Sequence, residues 1–309
     1  MKALLLLFLL AGNALAGPIA YVSNEKTGTL SLIDTATDRV VGSLPAGKRP
    51  RGMALSRDGQ TMYVSDEPSN AVVVLSTGDA FPQKVIAVGE SPEGVSLSPD
   101  GRLLAAASEI ANAVLLIDVG EAKVVATIKT EGKNPEHAVF SPDGRWLYVS
   151  AEDASQVDVV DVAERRQVGA IPVARRPRGI AFTPDGKRAY VACELDNTVF
   201  SIDTASHRVI NAIPAGNFAN GVAMHPAGDR VYVSNGRGAS VSVIDTRTDQ
   251  VIATAGVGQR PWNMALTPDG KKLYVANGRS NSVSVIDTAT NSRIADIAVG
   301  ELPWGVTIR

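Results

Sequence analysis

Seven times along this chain an isoleucine- or valine-rich run ends in Asp or Ser, and the marks fall at Asp34, Ser76, Asp118, Asp161, Asp203, Asp245 and Asp287. The steps between them are 42, 42, 43, 42, 42 and 42 residues. A period held so evenly means one supersecondary unit copied seven times, and a repeat of about 40 to 45 residues built from short strands is the signature of a β-propeller blade. The expected fold is therefore all-β: a seven-bladed propeller of four-stranded antiparallel blades over residues 17–309.

The stretch from Pro261 to Gly300 shows one blade clearly. Trp262 to Leu266 is an apolar run of strand length, closed by Thr267-Pro268-Asp269-Gly270. Pro presets φ, Asp bonds its own backbone and Gly accepts positive φ, so this reads as a tight hairpin turn. Lys272 to Asn277 gives a second strand, the alternating Ser282-Val283-Ser284-Val285-Ile286 a third, and Arg293 to Val299 a fourth. The same turn recurs as Arg57-Asp58-Gly59, Pro99-Asp100-Gly101, Pro142-Asp143-Gly144, Pro184-Asp185-Gly186 and Pro226-Ala227-Gly228, where only Ala227 loses the acid. Third strands that are apolar at consecutive positions, such as Ala113 to Ile117, suit a sheet buried on both faces between blades.

The two chain ends complement each other. The first repeat starts at its second strand, around Tyr21, while the chain finishes on an orphan first strand, Pro303 to Arg309. Pairing the two would complete blade 1 and remove two open sheet edges. An open β-solenoid of the same period leaves that complementarity unexplained.

Lys2, the apolar run from Ala3 to Ala11 and Ala14-Leu15-Ala16 before Gly17 read as a cleaved secretory signal over residues 1–16. The run is too short for an ordinary membrane span, so the expected mature protein is soluble outside the cytoplasm, with no membrane span. Losing Lys2 takes the net charge from −2 to −3, which gives no footprint for nucleic acid. Cys193 is alone, so no intramolecular disulfide can form, and its expected role is a small buried apolar residue.

The second strands read Tyr21-Val22-Ser23-Asn24, Tyr63-Val64-Ser65-Asp66, Tyr148-Val149-Ser150, Tyr190-Val191-Ala192, Tyr232-Val233-Ser234-Asn235 and Tyr274-Val275-Ala276-Asn277. With the Val-Ile-Asp-Thr strands and Pro-x-Gly starts, they resemble the YVTN-repeat propellers over the whole mature chain. Ala105-Ala106-Ala107 in blade 3 and Ser76-Thr77 in blade 2 depart from the pattern, which puts the packing of those blades in question. A signal peptide followed by seven such repeats is similar to the propeller family associated with catabolism dependent on pyrroloquinoline quinone (PQQ), found beside transport genes and quinoprotein alcohol dehydrogenases in Gram-negative bacteria. That resemblance implies a periplasmic accessory to alcohol oxidation. It implies PQQ or a related quinone as ligand, with no required cofactor, and a quinoprotein dehydrogenase or transport component as partner. It supplies no catalytic residues.

Seven equivalent positions, one leading into each blade's first strand, hold Arg51, Glu93, Glu136, Arg178, Asn220, Trp262 and Trp304. A purely structural position would hold similar residues in every blade, so this ring is the candidate ligand site; the plain alternative is ordinary variation in solvated loops. Trp262 and Trp304 belong to adjacent blades once the ring closes, with Arg260, Arg279 and Arg237 near them. The loops of blades 1 to 5 supply acids instead, among them Glu25, Glu109, Glu152 and Glu194. A planar anion would stack on indole while arginines bond its carboxylates. The same groups also suit a protein interface.

Other chemistries find little support. His137 lies on the loop face whereas His207 and His225 fall near turns of the opposite face, so the three histidines cannot share a metal, and no metal site is expected. There is no Cys-x-x-Cys-His and no Gly-x-Ser-x-Gly. Glu93 and Glu136 sit on adjacent blades as the one acid–base pair that spacing offers. The first reading is a non-catalytic binding propeller. The others are a lactonase-like hydrolase, by analogy of fold, and a structural or adhesion module.

Overall fold

The computed structural model describes residues 17–78 and 82–309; the expected signal peptide lies outside the described residues. Seven four-stranded antiparallel sheets form the molecule. Each innermost strand packs on the next, and the strand of residues 303–308 packs on those of both blade 7 and blade 2, so the ring is closed. Among the described residues no helix is long and apolar enough to cross a membrane.

Closure occurs as the sequence implies. Pro303–Ile308 is the innermost strand of blade 1 and pairs antiparallel with Ile19–Asn24, Val22 opposite Val306 and Ala20 opposite Ile308. Trp304 and Val306 are buried by this pairing.

The repeated residues explain themselves between blades. The turn glycines Gly59, Gly101, Gly144, Gly186, Gly228 and Gly270 all hold φ between +69° and +75°, a region open to Gly at little cost. Beside them Asp269 accepts from the Thr267 hydroxyl at 2.7 Å and the Lys271 N–H at 3.1 Å, which holds its carboxyl down to about 2. Where Ala227 replaces the acid, His225 Nδ1 accepts the Ala227 N–H instead.

The tyrosines of the second strands are buried, and three of them reach a turn of the next blade. Tyr190 donates to Asp249 at 2.8 Å, Tyr274 bonds Asp38, and the Tyr148 hydroxyl lies 2.7 Å from His207 Nδ1. In blade 3, where Ala105 replaces Tyr, the space is filled from the neighbouring blade: Ala105 and Ala107 are fully buried in one cluster with Leu116, Phe140 and Leu147.

Each pairing of first and second strands carries a register shift at the x-Gly positions, for example between Pro50 and Met53. A bulge of this kind re-aims a side chain. Here it turns the x residue of Pro-x-Gly toward the central channel. The Gly is required because strands meet closely there: a Cβ on Gly52 would stand 2.6 Å from the Glu93 carbonyl oxygen. The Ser of Tyr-Val-Ser ties the bulge down. Ser65 Oγ accepts the Gly52 N–H at 2.9 Å and donates to the Glu93 carbonyl of the next blade at 2.5 Å, and Ser23 and Ser234 do the same in blades 1 and 6.

Candidate functional site

The bulges bring all seven x residues to one mouth, and side chains there form two connected spaces. The upper one is a groove of about 750 Å³ over blades 5, 6, 7 and 1, lined by Arg176, Arg237, Arg260, Arg279, Phe218 and Trp262, with Asn217, Gln259 and Leu302 at its rim. No carboxylate lines it. The lower one is a channel cavity of about 310 Å³ in which five glutamates and five arginines meet, with Asn220, Trp262 and Trp304 on the remaining wall. Arg176, Arg260 and Trp262 line both.

In the groove, Arg237 lies over the Phe218 ring at 3.7 Å, and Arg260 stands 5.7 Å from the Trp262 ring centre. Cation–π contact of this kind aligns a guanidinium beside an aromatic face without consuming its N–H donors. Arg237 and Arg279 are exposed and, among the described residues, neither makes an ion pair, whereas Arg176 and Arg260 are held from below by Glu194 at 3.3 and 3.1 Å. Burial lowers the pKa of Arg260 in spite of Glu194. The groove thus offers two uncompensated positive charges, two partly neutralised ones and two aromatic faces.

In the channel every arginine is paired, and of the lining glutamates only Glu109 meets no cation among the described residues. Arg51 bonds Glu93 and Glu25, the latter at 2.7 Å. Arg178 reaches Glu136 at 2.5 Å, Glu152 at 2.7 Å and Glu194 at 3.3 Å; burial opposes its charge, but the three carboxylates hold its pKa above the usual arginine value. Asn220 contacts Glu194 at 3.4 Å. Burial and the neighbouring Glu136 push the Glu93 carboxyl up to about 9, against the pull of Arg51. Burial acts on Glu136 in the same direction, yet Arg178 beside it brings Glu136 below the ordinary range.

The sequence places Trp262 and Trp304 side by side as two ligand-facing indoles; Trp262 lines both the groove and the channel cavity, whereas Trp304 lines the channel cavity alone. Trp304 lies 7% exposed and turns inward from blade 1 to stack on His137 of blade 4, with ring centroids 5.8 Å apart and planes 11° apart. The cause is His137, which stands where five blades have the Gly of Pro-x-Gly and offers a flat partner across the channel. Arg51, Arg178, Glu93, Glu136 and Asn220 likewise lie in the lower cavity, while Arg237, Arg260 and Arg279 gather with Trp262 in the groove.

Phe218 and Arg176 are additions to the site. They occupy the residue just before the first strand, which has positive φ in six blades: Ser91, Asn134, Arg176, Phe218, Arg260 and Leu302. Variation at that equivalent position carried the same signal as the x residues did.

One oxygen each from Glu109, Glu136 and Glu152 lies within 4.8 Å of the others, a spacing that a metal ion could bridge. The donor set does not suit one. Arg178 already bonds two of the three carboxylates, and a calcium-sized ion needing six or more oxygens would have to displace that half-buried guanidinium.

The chain matches the model of the family described as lactonase, seven-bladed beta-propeller, over residues 38–171 and 163–298, and it belongs to that family. In the comparison with curated proteins nothing matches. Among solved structures it is similar to hydrazine synthase of Kuenenia stuttgartiensis, at 28% identity and a TM-score of 0.80, over 87% of this chain and 92% of that one. A functionally unknown protein from Desulfotomaculum acetoxidans DSM 771 has a TM-score of 0.83 at 18% identity, over 94% of this chain and 98% of the other, a likeness of fold alone.

Proposed function

We propose that this propeller binds a flat, multiply carboxylated anion in its upper groove, PQQ or a related quinone being the ligand class that fits, and that it serves PQQ-dependent alcohol oxidation in the periplasm as a non-catalytic accessory. The observation that carries this reading is the groove itself, with four arginines, two aromatic faces and no lining carboxylate. Arg237 and Arg279 keep their donors free for carboxylates, and Phe218 and Trp262 supply surfaces on which a ring stacks. A quinoprotein dehydrogenase or transport component remains the proposed partner by resemblance. Titration with PQQ tests the reading, since Trp262 fluorescence is expected to quench saturably; no quenching at millimolar ligand would leave the groove to a protein partner.

Membership of the lactonase family favours a second reading, hydrolysis of a lactone. Its specific support is the split pair in the channel, Glu93 protonated at neutral pH beside an ionised Glu136, the arrangement that acid–base catalysis uses. Both carboxyls are themselves buried and tied to half-buried arginines in the channel, which restricts their approach to substrate. Turnover of a lactone that Glu136→Gln abolishes would establish this reading over the first.

A further inference from the structure

The channel beneath the groove is short of positive charge. Its five lining glutamates, together with Glu25 and Glu194 bonded to the same arginines, make seven carboxyls for five guanidiniums. Glu109 is the least provided for: it accepts from the Ser91 hydroxyl at 2.9 Å and meets no cation among the described residues. Glu93 is the second. It is 1% exposed and lines the cavity, and its Oε2 has no hydrogen-bond partner although Arg51 holds the other side of the carboxyl. Once the carboxyl ionises, this atom is a buried acceptor without a partner, which is costly, so it marks a place for a donor that arrives as the proton leaves.

The walls say which donor. The acids of blades 3 and 4 face the opposite arc of blades 6, 7 and 1, which supplies Asn220, Trp262, Trp304 and one guanidinium, that of Arg260, already bonded to Glu194. Carboxylates on one side and indole on the other suit an organic ammonium, which needs three acceptors and gains from an aromatic face. We propose that the channel binds a primary ammonium group, held by Glu93, Glu109 and Glu136 with the alkyl stem against Trp304. The cavity of about 310 Å³ admits a short alkylamine, and its opening into the groove lets the same ligand carry an anionic end among Arg237, Arg260 and Arg279. The site does not depend on the quinone reading of the groove.

Binding ionises Glu93. Its carboxyl faces Glu136 and Glu109, which hold the proton on, and Arg51 and Arg178, which favour its loss; His137 lies beside Glu136. Below about pH 9 the incoming ammonium therefore expels the Glu93 proton to solvent, and affinity rises with pH toward that value.

The test is calorimetry of the mature chain with n-butylammonium in buffers of different ionisation enthalpy, with butanol and calcium as controls. Saturable millimolar binding is expected, with release of about one proton per ligand at neutral pH. Glu109→Gln and Glu93→Gln should each weaken it ~10-fold, the scale of one charge-assisted bond. Glu109 bonds no cation, and Gln at 93 mimics the protonated acid, so both variants are expected to fold, and PQQ affinity should be unchanged in Glu109→Gln. Absence of binding, equal binding of butanol, calcium in place of the amine, or no effect of either substitution would overturn the proposal.

Discussion

The indole of Trp304 and the imidazole of His137 lie face to face across the central channel, although one comes from the last strand of the chain and the other from the fourth blade. Trp304 lines the channel cavity and not the groove, so the contact belongs to the lower of the two spaces, and Arg176, Arg260 and Trp262 form the wall they share. The contact also joins ring closure to the site, since the strand that completes blade 1 delivers the indole. Burial lowers the His137 pKa, so the ring in the stack is neutral at neutral pH.

A double-mutant cycle on this pair should give a coupling of ~1 kcal/mol, the usual worth of an aromatic contact beyond its burial. Trp304→Ala alone should cost ~3–5 kcal/mol, because it leaves a cavity beneath the groove. Denaturant melts of the two single variants and the double variant give both values; additive effects would mean the rings merely share a space.

Glu93 makes stability depend on pH in an unusual direction. Its carboxyl is raised from the ordinary 4.5 to about 9, so between those values the folded protein holds a proton that the unfolded chain has lost. The stabilisation is complete at the acid end and drains away as pH rises through the folded value. Glu93→Gln should therefore be more stable relative to wild type at pH 8 than at pH 5, as read from paired thermal melts. A difference independent of pH would show that the carboxyl is ionised in the fold.

Removing residues 303–309 takes away the innermost strand of blade 1, with Trp304 and Val306 buried on it, and exposes the edge of Ile19–Asn24. Burial of Val306 alone accounts for roughly 1.5–3 kcal/mol. The truncated protein should lose its cooperative melt or aggregate, and an unchanged melting temperature would contradict closure by this strand.

The period, the turns and the complementary ends were legible because each is a local pattern copied seven times, so errors in one repeat are corrected by the others. The positions that vary between blades were legible for the same reason. What each varying side chain does was not. Trp262 and Trp304 share a register, yet one lines the groove and the other turns inward, because His137 stands three blades away and no repeat pattern encodes a contact across the channel. The pairing of Arg51 and Arg178 with buried glutamates escaped for a similar cause: the sequence showed acids and arginines on one face, but separation around a ring depends on its curvature. Phe218 lies outside the Pro-x-Gly pattern, as the left-handed residue two places before x, yet it lines the same mouth.

The central claim is that the groove recognises a flat polycarboxylate through Arg237 and Arg279. The most direct measurement is a calorimetric isotherm of PQQ on the mature protein and on the Arg237→Ala, Arg279→Ala double variant. Each guanidinium lacks an ion-pair partner among the described residues, so the variant should melt as the wild type does while its affinity falls ~100-fold, about 1.4 kcal/mol for each charge-assisted contact. Equal affinity in the two proteins, or no heat of binding to the wild type at millimolar PQQ, would contradict it.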